Sequence, residues 1–197
     1  MSPRTSKQFE EIRRNSRSKI LDAALELFAT QGFHNTSISQ IAKKAGVAKG
    51  LIYNYFGDDN MGGKDDLIHQ IVYEKMAEGD DFMELLSQQA DAKSKLKLII
   101  EFSFDFIIQN PHQSKLMVGL SLQIDQFPDL MELVKSRYVN TLPLMESLLR
   151  EIGLENPREE AITITAMLDG LGMQYIVVQD AMNIQSIKSF LIKKYCS

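Results

Sequence analysis

Apolar residues in the first third of the chain recur at helical spacing, in three blocks separated by glycines. The first block, SRSKILDAALELFATQGF, has the i, i+3, i+4 pattern of a helix buried on one face. We expect this helix to end at Gly32, with Phe33 folding back onto it. The second block, NTSISQIAKKAG, predicts a two-turn helix that Ser37 and Gln40 cap and Gly46 ends.

The third block, VAKGLIYNYF, restarts the helical pattern. Ile52 and Phe56 are spaced i, i+4 toward the core, whereas Ala48 is a poor capping residue at the start of the helix. The opposite face is predicted to carry Lys49, Gly50, Tyr53 and Asn54. Two short helices with such an outward face favour a helix-turn-helix that reads the major groove, although other three-helix bundles show similar stripes.

The outward residues suit contacts to DNA. Gly50 allows close approach, Lys49 can reach a phosphate or a guanine edge, and Asn54 can pair with base edges. Tyr53 and Tyr55 suit hydrogen bonds to phosphate. The positive ends of the second and third helices can also point at the DNA backbone.

Residues 36–56, TSISQIAKKAGVAKGLIYNYF, together with ILDAALELFATQGF before them, resemble the DNA-binding domain of the TetR (tetracycline repressor) family of transcriptional regulators. The resemblance implies a homodimeric repressor that releases operator DNA when a small molecule binds its C-terminal domain. The fold expected is all-α, with an N-terminal three-helix helix-turn-helix domain and a C-terminal helical ligand-binding and dimerisation domain. The predicted DNA-binding residues are Thr36, Ser37, Lys49, Gly50, Leu51, Tyr53, Asn54, Tyr55 and Lys64.

The segment YFGDDNMGGKDDLIHQ, residues 55–70, departs from the family pattern. In the family a lysine that touches phosphate follows the phenylalanine after two residues, whereas seven residues separate Phe56 from Lys64. About five residues, 59–63, are therefore extra. If Lys64 keeps the phosphate contact, they must bulge away from the duplex; if it does not, the linkage to the next helix is looser. Their spacing does not fit a calcium loop, and a solvated turn is favoured.

From residue 65 onward the pattern predicts helices alone, at 65–87, 92–109, 112–124, 128–152, 157–181 and 184–195. Pro143 is expected to kink or split its helix. Gly153 is expected to end that helix, and Asn156 with Glu159 to cap the next.

The helix that begins at Pro157 is apolar nearly all round, which predicts burial on both sides. One side would meet the subunit's own core and the other a partner subunit; the alternative is a central helix in a monomer. The family resemblance implies that the last two helices pair across a two-fold axis. The predicted dimer interface is Ala161, Ile164, Leu168, Leu171, Tyr175, Val178, Ile187 and Leu191.

Aromatic and methionine residues of the helical body suit an apolar effector pocket, although such stripes also serve as plain core. The predicted pocket consists of Phe102, Phe106, Met117, Leu120, Ser121, Tyr138, Met145, Met167 and Gln174. Polar residues among them, such as Ser103 and Thr141, could orient a ligand. Because these stretches lack a strong cationic cluster, the sequence favours a neutral or cationic hydrophobic ligand over a phosphate-rich one.

The charge distribution supports a polyanion partner at one end of the chain. The net charge of -4 is the sum of +4 over residues 1–64 and -8 over residues 65–197. The predicted regions are a basic arm at 1–16, able to touch phosphate or minor groove, the DNA-binding domain at 17–64, and the effector-binding and dimerisation domain at 65–197.

Other compositional features exclude whole classes of protein. Hydrophobic residues at 44% and charged residues at 24% are ordinary for a globular protein, and neither a signal peptide nor an uncharged apolar run of membrane-spanning length is present. We therefore expect a cytoplasmic protein without a membrane partner. The single cysteine, Cys196, and three scattered histidines predict no disulfide, metal site or cofactor.

No nucleophile with a nearby base, no paired catalytic carboxylates and no phosphate loop can be identified in the sequence, so no enzyme is predicted. The remaining alternative is a helical ligand-binding or scaffold protein that has lost operator binding.

Overall fold

The computed structural model describes residues 5–57 and 63–197, and over these residues it is built of α-helices without β-strands, as predicted. Of the five extra loop residues, 59–62 lie outside the described residues, as does the N-terminal stretch 1–4. The helices are α1 (Ser6–Gln31), α2 (Ile38–Ala45), α3 (Lys49–Phe56), α4 (Lys64–Ser87), α5 (Ala92–Gln109), α6 (Pro111–Ser121), α7 (Pro128–Ile152), α8 (Pro157–Val178) and α9 (Ile184–Cys196).

Helix α1 begins much earlier than the sequence pattern suggests. The Thr5 hydroxyl accepts the N–H of Gln8, and the Gln8 side chain accepts the N–H of Thr5, which is a complete capping box. The prediction of a separate basic arm over residues 1–16 is therefore wrong from Ser6 onward. Arg13 and Arg14 are carried on this helix.

The chain forms two compact units. The first contains the chain up to Ala77 together with Gly119–Gln126, and the second contains Glu78–Val118 and Phe127–Ser197. The division thus falls inside α4 and inside α6, and not at the predicted boundary between residues 64 and 65.

In the first unit, helices α1 to α4 bury a core that includes Ile20, Phe28, Ile41, Ile52 and Leu67. The predicted starts and ends of α2 are confirmed. Ser37 and Gln40 form the capping box, and Gly46 ends the helix in the left-handed conformation at φ 68°. Helix α3 starts at Ala48 without a side-chain cap, so packing rather than capping holds it in place.

The Gln123 side chain joins the downstream segment Gly119–Gln126 to the C-terminal end of α1. Its amide nitrogen donates to the carbonyls of Phe28 and Gly119, both at 3.0 Å, and its oxygen accepts the Phe33 N–H at 3.2 Å. A Cβ on Gly119 would lie 3.1 Å from the carbonyl oxygen of Ala29, so the glycine permits this close approach. A side chain about ninety residues away in sequence thereby satisfies the end of the first helix.

In the second unit, helices α5, α7, α8 and α9 share one core. Its buried members are Leu96, Ile100, Phe104, Leu149, Ala161, Ile164, Leu168, Ile184, Leu191 and Tyr195. Helix α7 runs without a break through Pro143, so it is not split there. Gly153 ends α7 as predicted, but Asn156 lies at φ 54° and its side chain makes no capping hydrogen bond to α8.

Helix α8 is buried on one face and open on the other. Within the described residues, Pro157–Ala181 is the one stretch long and apolar enough to cross a membrane by length and composition, with a hydropathy of 1.5. Core helices of soluble proteins can be equally long and apolar. Ala161 and Ile164 are fully buried, whereas Met173 and Val177 are 50% and 80% exposed. One apolar face of α8 is thus left uncovered in the isolated chain.

Candidate nucleic-acid interface and ligand cavity

Helix α3 presents a polar and aromatic face to solvent. Ile52 and Phe56 are buried beneath it. The exposed residues are Lys49, Gly50, Tyr53 and Asn54, as the sequence predicts. The Tyr53 side chain is 44% exposed, and the Lys49 ammonium lies 5.7 Å from the centre of its ring. The face therefore combines a cation, a phenol and an amide.

Gly50 is not needed for packing against the described part of its own chain. Among those residues, a Cβ added there would meet nothing within 4 Å, and its φ lies outside the left-handed region. Neither steric crowding nor backbone conformation requires a glycine at this position, so the absent side chain leaves room for a molecule outside the chain. On an exposed helix face, that is room for a closely approaching partner.

Two predicted DNA-binding residues have structural tasks instead. Thr36 is buried and donates its hydroxyl to the Gly32 carbonyl at 2.9 Å, so its side chain is not available to a phosphate. The Ser37 hydroxyl is exposed but committed to the cap of α2: it accepts the Gln40 N–H and donates to the Gln40 side chain. Both residues orient the start of α2.

Leu51 and Tyr55 are half-buried on α3. The guanidinium of Arg13 lies 5.6 Å from the Tyr55 ring centre, and that of Arg17 lies 5.1 Å from the Phe56 ring centre. Sequence reasoning missed this link from α1 to α3. The signal was available, since two arginines four residues apart lie on one side of a helix.

Lys64 does not fit the predicted phosphate contact. Its ammonium donates to the carbonyls of Phe33 at 3.0 Å and Thr36 at 3.2 Å, and it lies 4.3 Å from the Phe33 ring centre. These contacts turn the half-buried side chain inward. Lys64 therefore ties the start of α4 to the turn between α1 and α2, and we withdraw it from the predicted DNA-binding residues.

A cavity of about 210 Å³ lies in the second unit between α5, α7 and α8. Its lining combines aliphatic side chains with hydroxyls and one carboxylate. The lining residues are Ile99, Ser103, Tyr138, Thr141, Leu142, Met145, Thr165, Leu168 and Asp169. Such a mixture of an apolar wall and a few polar groups is typical of a small-molecule site.

The predicted effector pocket is only partly right. Tyr138 and Met145 line the cavity, and so do Ser103 and Thr141, which the sequence marks as polar residues able to orient a ligand. The remaining predicted residues lie elsewhere. Phe102 and Phe106 stack near Phe82. Leu120 and Ser121 belong to the first unit. The others that do not line the cavity are Met117, Met167 and Gln174.

Sequence reasoning missed Asp169. It is the single charged residue between Glu160 and Asp180, in an otherwise apolar helix, and that isolation was the available signal. Asp169 as a whole is exposed at the mouth of the cavity, yet partial burial of its carboxyl raises the pKa above the ordinary value. The cavity thus contains a carboxylate in surroundings that disfavour its charge.

The predicted dimer interface requires correction. Ala161, Ile164, Leu168 and Leu191 lie in the subunit's own core, where they cannot reach a partner, and Leu171, Tyr175 and Ile187 pack against it. Val178 is exposed, as an interface residue should be. The other exposed apolar residues of α8 and α9 are Ile162, Met173, Val177 and Phe190.

His69 and Cys196 lie apart from the cavity and from the outward face of α3. His69 is buried with its Nδ1 2.7 Å from the Asp65 carbonyl oxygen, and burial raises the pKa of the Cys196 thiol. Within residues 5–57 and 63–197, no three His, Cys, Asp or Glu side chains converge as metal ligands would.

Comparison with known proteins identifies the first unit. Residues 20–71 match the model of the bacterial regulatory proteins of the tetR family. The HTH-type transcriptional regulator LmrA of Bacillus subtilis (strain 168) is 32% identical over 167 residues, which cover 79% of this chain and 84% of LmrA. The fatty acid metabolism regulator protein of the same organism is 37% identical over 106 residues, or 53% of this chain, and the chain spans 52% of that relative.

Solved structures agree over nearly the whole chain. The transcriptional regulator FadR from Bacillus subtilis, in complex with stearoyl-CoA, matches with a TM-score of 0.66 and 25% identity over 91% of this chain and 97% of FadR. A TetR-like regulator from Rhodococcus sp. RHA1 matches with a TM-score of 0.68 and 22% identity, covering 98% and 94%. These relatives are transcriptional regulators and not enzymes. The chain belongs to the tetR family of bacterial regulatory proteins.

Proposed function

We propose that this chain is a ligand-responsive transcriptional repressor. Two subunits would place α3 in successive major grooves of a pseudo-palindromic operator, and a small hydrophobic molecule in the cavity would release it. Regulators of this family bind operator DNA and small-molecule effectors and act as dimers. The observation that carries the proposal is the outward face of α3, where Lys49, Tyr53 and Asn54 surround a glycine that its own fold does not require.

The charge distribution supports the same orientation on DNA. Residues 1–64 carry a net charge of +4, whereas residues 65–197 carry -8. Phosphate neutralisation by the first part releases counterions, so operator affinity should fall steeply with salt. The acidic second part would be repelled by the duplex.

We infer that the dimer forms through the exposed apolar residues of α8 and α9. Val177 is 80% exposed and Phe190 is 62% exposed, on helices whose other faces are buried in the core. Val177→Glu should shift the protein from dimer to monomer in light scattering. Leu122→Glu is the control, because Leu122 is similarly exposed at 76% but lies outside α8 and α9. An unchanged Val177→Glu dimer would remove this face from the proposal.

The effector would bind among the nine lining residues of the cavity. Its differential affinity for two arrangements of the dimer sets how far DNA binding falls. We further propose a cytoplasmic location, because the relatives are bacterial transcriptional regulators. We also propose that the protein has no catalytic activity, because the cavity lacks a nucleophile paired with a base.

The decisive experiment measures binding of the purified protein to a fluorescent duplex that carries its own upstream region, titrated over salt. The variant Lys49→Ala/Tyr53→Ala removes two members of the outward face. Its matched control is Lys135→Ala/Tyr73→Ala, which changes an exposed lysine on α7 and a tyrosine on α4 that is 48% exposed.

Tight, salt-dependent binding that the first variant loses and the second keeps would support the repressor. Binding no stronger than to random DNA at low salt, with a folded dimer, would favour the alternative of a ligand-binding protein that has lost its operator.

A further inference from the structure

We propose that the cavity between α5, α7 and α8 is selective for a small protonated amine with an apolar body, and that Asp169 supplies the counter-charge. This inference rests on the proposed effector role of the cavity and adds the chemical class of its ligand. It concerns a carboxylate that neither the DNA-binding face nor the core uses.

Apart from the Tyr138 phenol, which can also donate, the polar groups around the cavity offer hydrogen-bond acceptors. Ser103, Thr141 and Thr165 each donate their hydroxyl proton to a backbone carbonyl one helical turn earlier, at 2.8 to 3.0 Å. Their oxygen lone pairs remain available, as do both oxygens of Asp169. A ligand that matches this lining must bring its own donors, and an ammonium group brings two or three.

The lining carries one negative charge and no positive charge. None of the nine lining residues is Lys, Arg or His, and among the described residues no cation forms an ion pair with Asp169. Because Asp169 is exposed at the mouth of the cavity and has no cation of the described residues to pair with, a cationic group on a ligand can reach it. Partial burial raises the pKa of this carboxyl, which agrees with a site that lacks its counter-ion.

The cavity is open to solvent on one side, so its volume limits the part of a ligand that it holds. A cavity of about 150 Å³ accommodates benzene, so 210 Å³ suits one ring or a short aliphatic body with a short arm. On that scale the acyl chain of stearoyl-CoA, the ligand in the FadR structure, would need roughly three times the volume of benzene. The lining also provides no cation that could bind the phosphates of stearoyl-CoA.

The test is calorimetric titration of the purified protein without DNA. The ligands are 2-phenylethylamine, hexylamine and cyclohexylamine, with 2-phenylethanol and phenylacetate as the neutral and anionic counterparts of the first. The variants are Asp169→Asn, which keeps the shape and removes the charge, and Asp81→Asn, which makes the same change at an exposed position of α4.

At least one amine should bind the wild type and Asp81→Asn equally, and Asp169→Asn at least about tenfold more weakly, as expected for a charged hydrogen bond. The alcohol should bind weakly and without regard to the variant. Retained amine binding in Asp169→Asn would overturn the proposal, as would a Kd above about 1 mM for all three amines or a preference for phenylacetate or stearoyl-CoA.

Two further results distinguish this inference from the proposals of operator binding and of a dimer interface on α8. Since the titration contains no DNA, failure to bind an operator would leave an amine result intact, and operator binding without amine binding would overturn the amine assignment alone. If Asp169→Asn weakens the dimer while amine affinity is unchanged, the carboxylate belongs to the subunit interface and the proposal fails.

Discussion

Gly50→Ala offers the sharpest test of the DNA-binding face, because the fold and the proposed partner make opposite demands on this position. The added methyl group would meet no atom of residues 5–57 and 63–197 within 4 Å, and φ is not left-handed. In a helix, alanine is more favourable than glycine by up to about 1 kcal/mol. The free energy of unfolding should therefore rise or stay unchanged, which corresponds to a Tm increase of at most about 2–4 °C.

On the operator the same methyl group should be unfavourable. If α3 lies against the floor of the major groove, the methyl occupies space that the duplex needs, and overpacking of this kind costs about 1–3 kcal/mol. Operator affinity should then fall by roughly 5- to 150-fold. Fluorescence anisotropy at 25 °C, on protein that thermal unfolding shows to be at least as stable as the wild type, measures this loss.

Gly46→Ala is the matched control. Gly46 also has open space around a hypothetical Cβ, but its φ is 68°, so alanine there is strained by roughly 1–2 kcal/mol. This variant should unfold at a lower temperature yet bind the operator normally while it is folded. If Gly50→Ala binds as tightly as the wild type, α3 does not press against DNA, and the proposed docking is wrong.

Three other substitutions test contacts that the sequence did not reveal. Lys64→Met should lower the free energy of unfolding by about 1–3 kcal/mol, since two carbonyls lose a charged donor. It should leave unchanged the slope of log operator affinity against log salt concentration, whereas Lys49→Met should reduce that slope by about one. An altered slope in Lys64→Met would restore its phosphate contact. Gln123→Ala should lower the free energy of unfolding, measured in urea, by about 1–3 kcal/mol because the half-buried Phe33 N–H loses its acceptor. Gln126→Ala, at an exposed position nearby, should not. Equal stability of the two variants would contradict the capping role. Burial raises the pKa of Asp169, so the charged carboxylate disfavours folding above the folded-state pKa, and this penalty is absent below the unfolded-state value near 3.8. Asp169→Asn should therefore be at least as stable as the wild type at pH 7 and lose any advantage near pH 3. Unfolding curves at both pH values decide this.

Local patterns predicted the helices well, because their signals are local. The capping box at Ser37 and the helix end at Gly46 depend on residues three or four positions apart, and both were predicted. Lys64 was not, since sequence spacing places a lysine at the start of a helix but cannot say whether its ammonium turns outward to phosphate or inward to the carbonyl of Phe33. That choice depends on a turn thirty residues earlier.

The dimer face and the cavity show the same limit. Periodicity marks two apolar faces on α8, and nothing local decides which one the core takes; the structure assigns Ile164 to the core and leaves Val177 exposed. For the cavity, aromatic and methionine content was only a partial guide, because Tyr138 and Met145 line it whereas Phe102 and Phe106 stack with a neighbour. Asp169 was the better guide, since an isolated charge in an apolar helix must have a reason to be there.

The sequence predicts that residues 59–63 are extra and that they loosen the link between α3 and α4 if Lys64 makes no phosphate contact. Contacts at Gly57, before this segment, and at Gly63, its last residue, argue against a looser link. The Gly57 N–H donates to the Tyr53 carbonyl at 2.9 Å, and a Cβ on Gly63 would lie 3.0 Å from the Tyr53 ring. Both ends of the segment therefore converge on one residue of α3, and Lys64 holds the next position to the turn before α2. Since closing a longer loop between fixed ends adds only a few tenths of a kcal/mol to about 1 kcal/mol, its length costs little. These anchors, rather than the number of residues between them, set where α4 begins relative to α3.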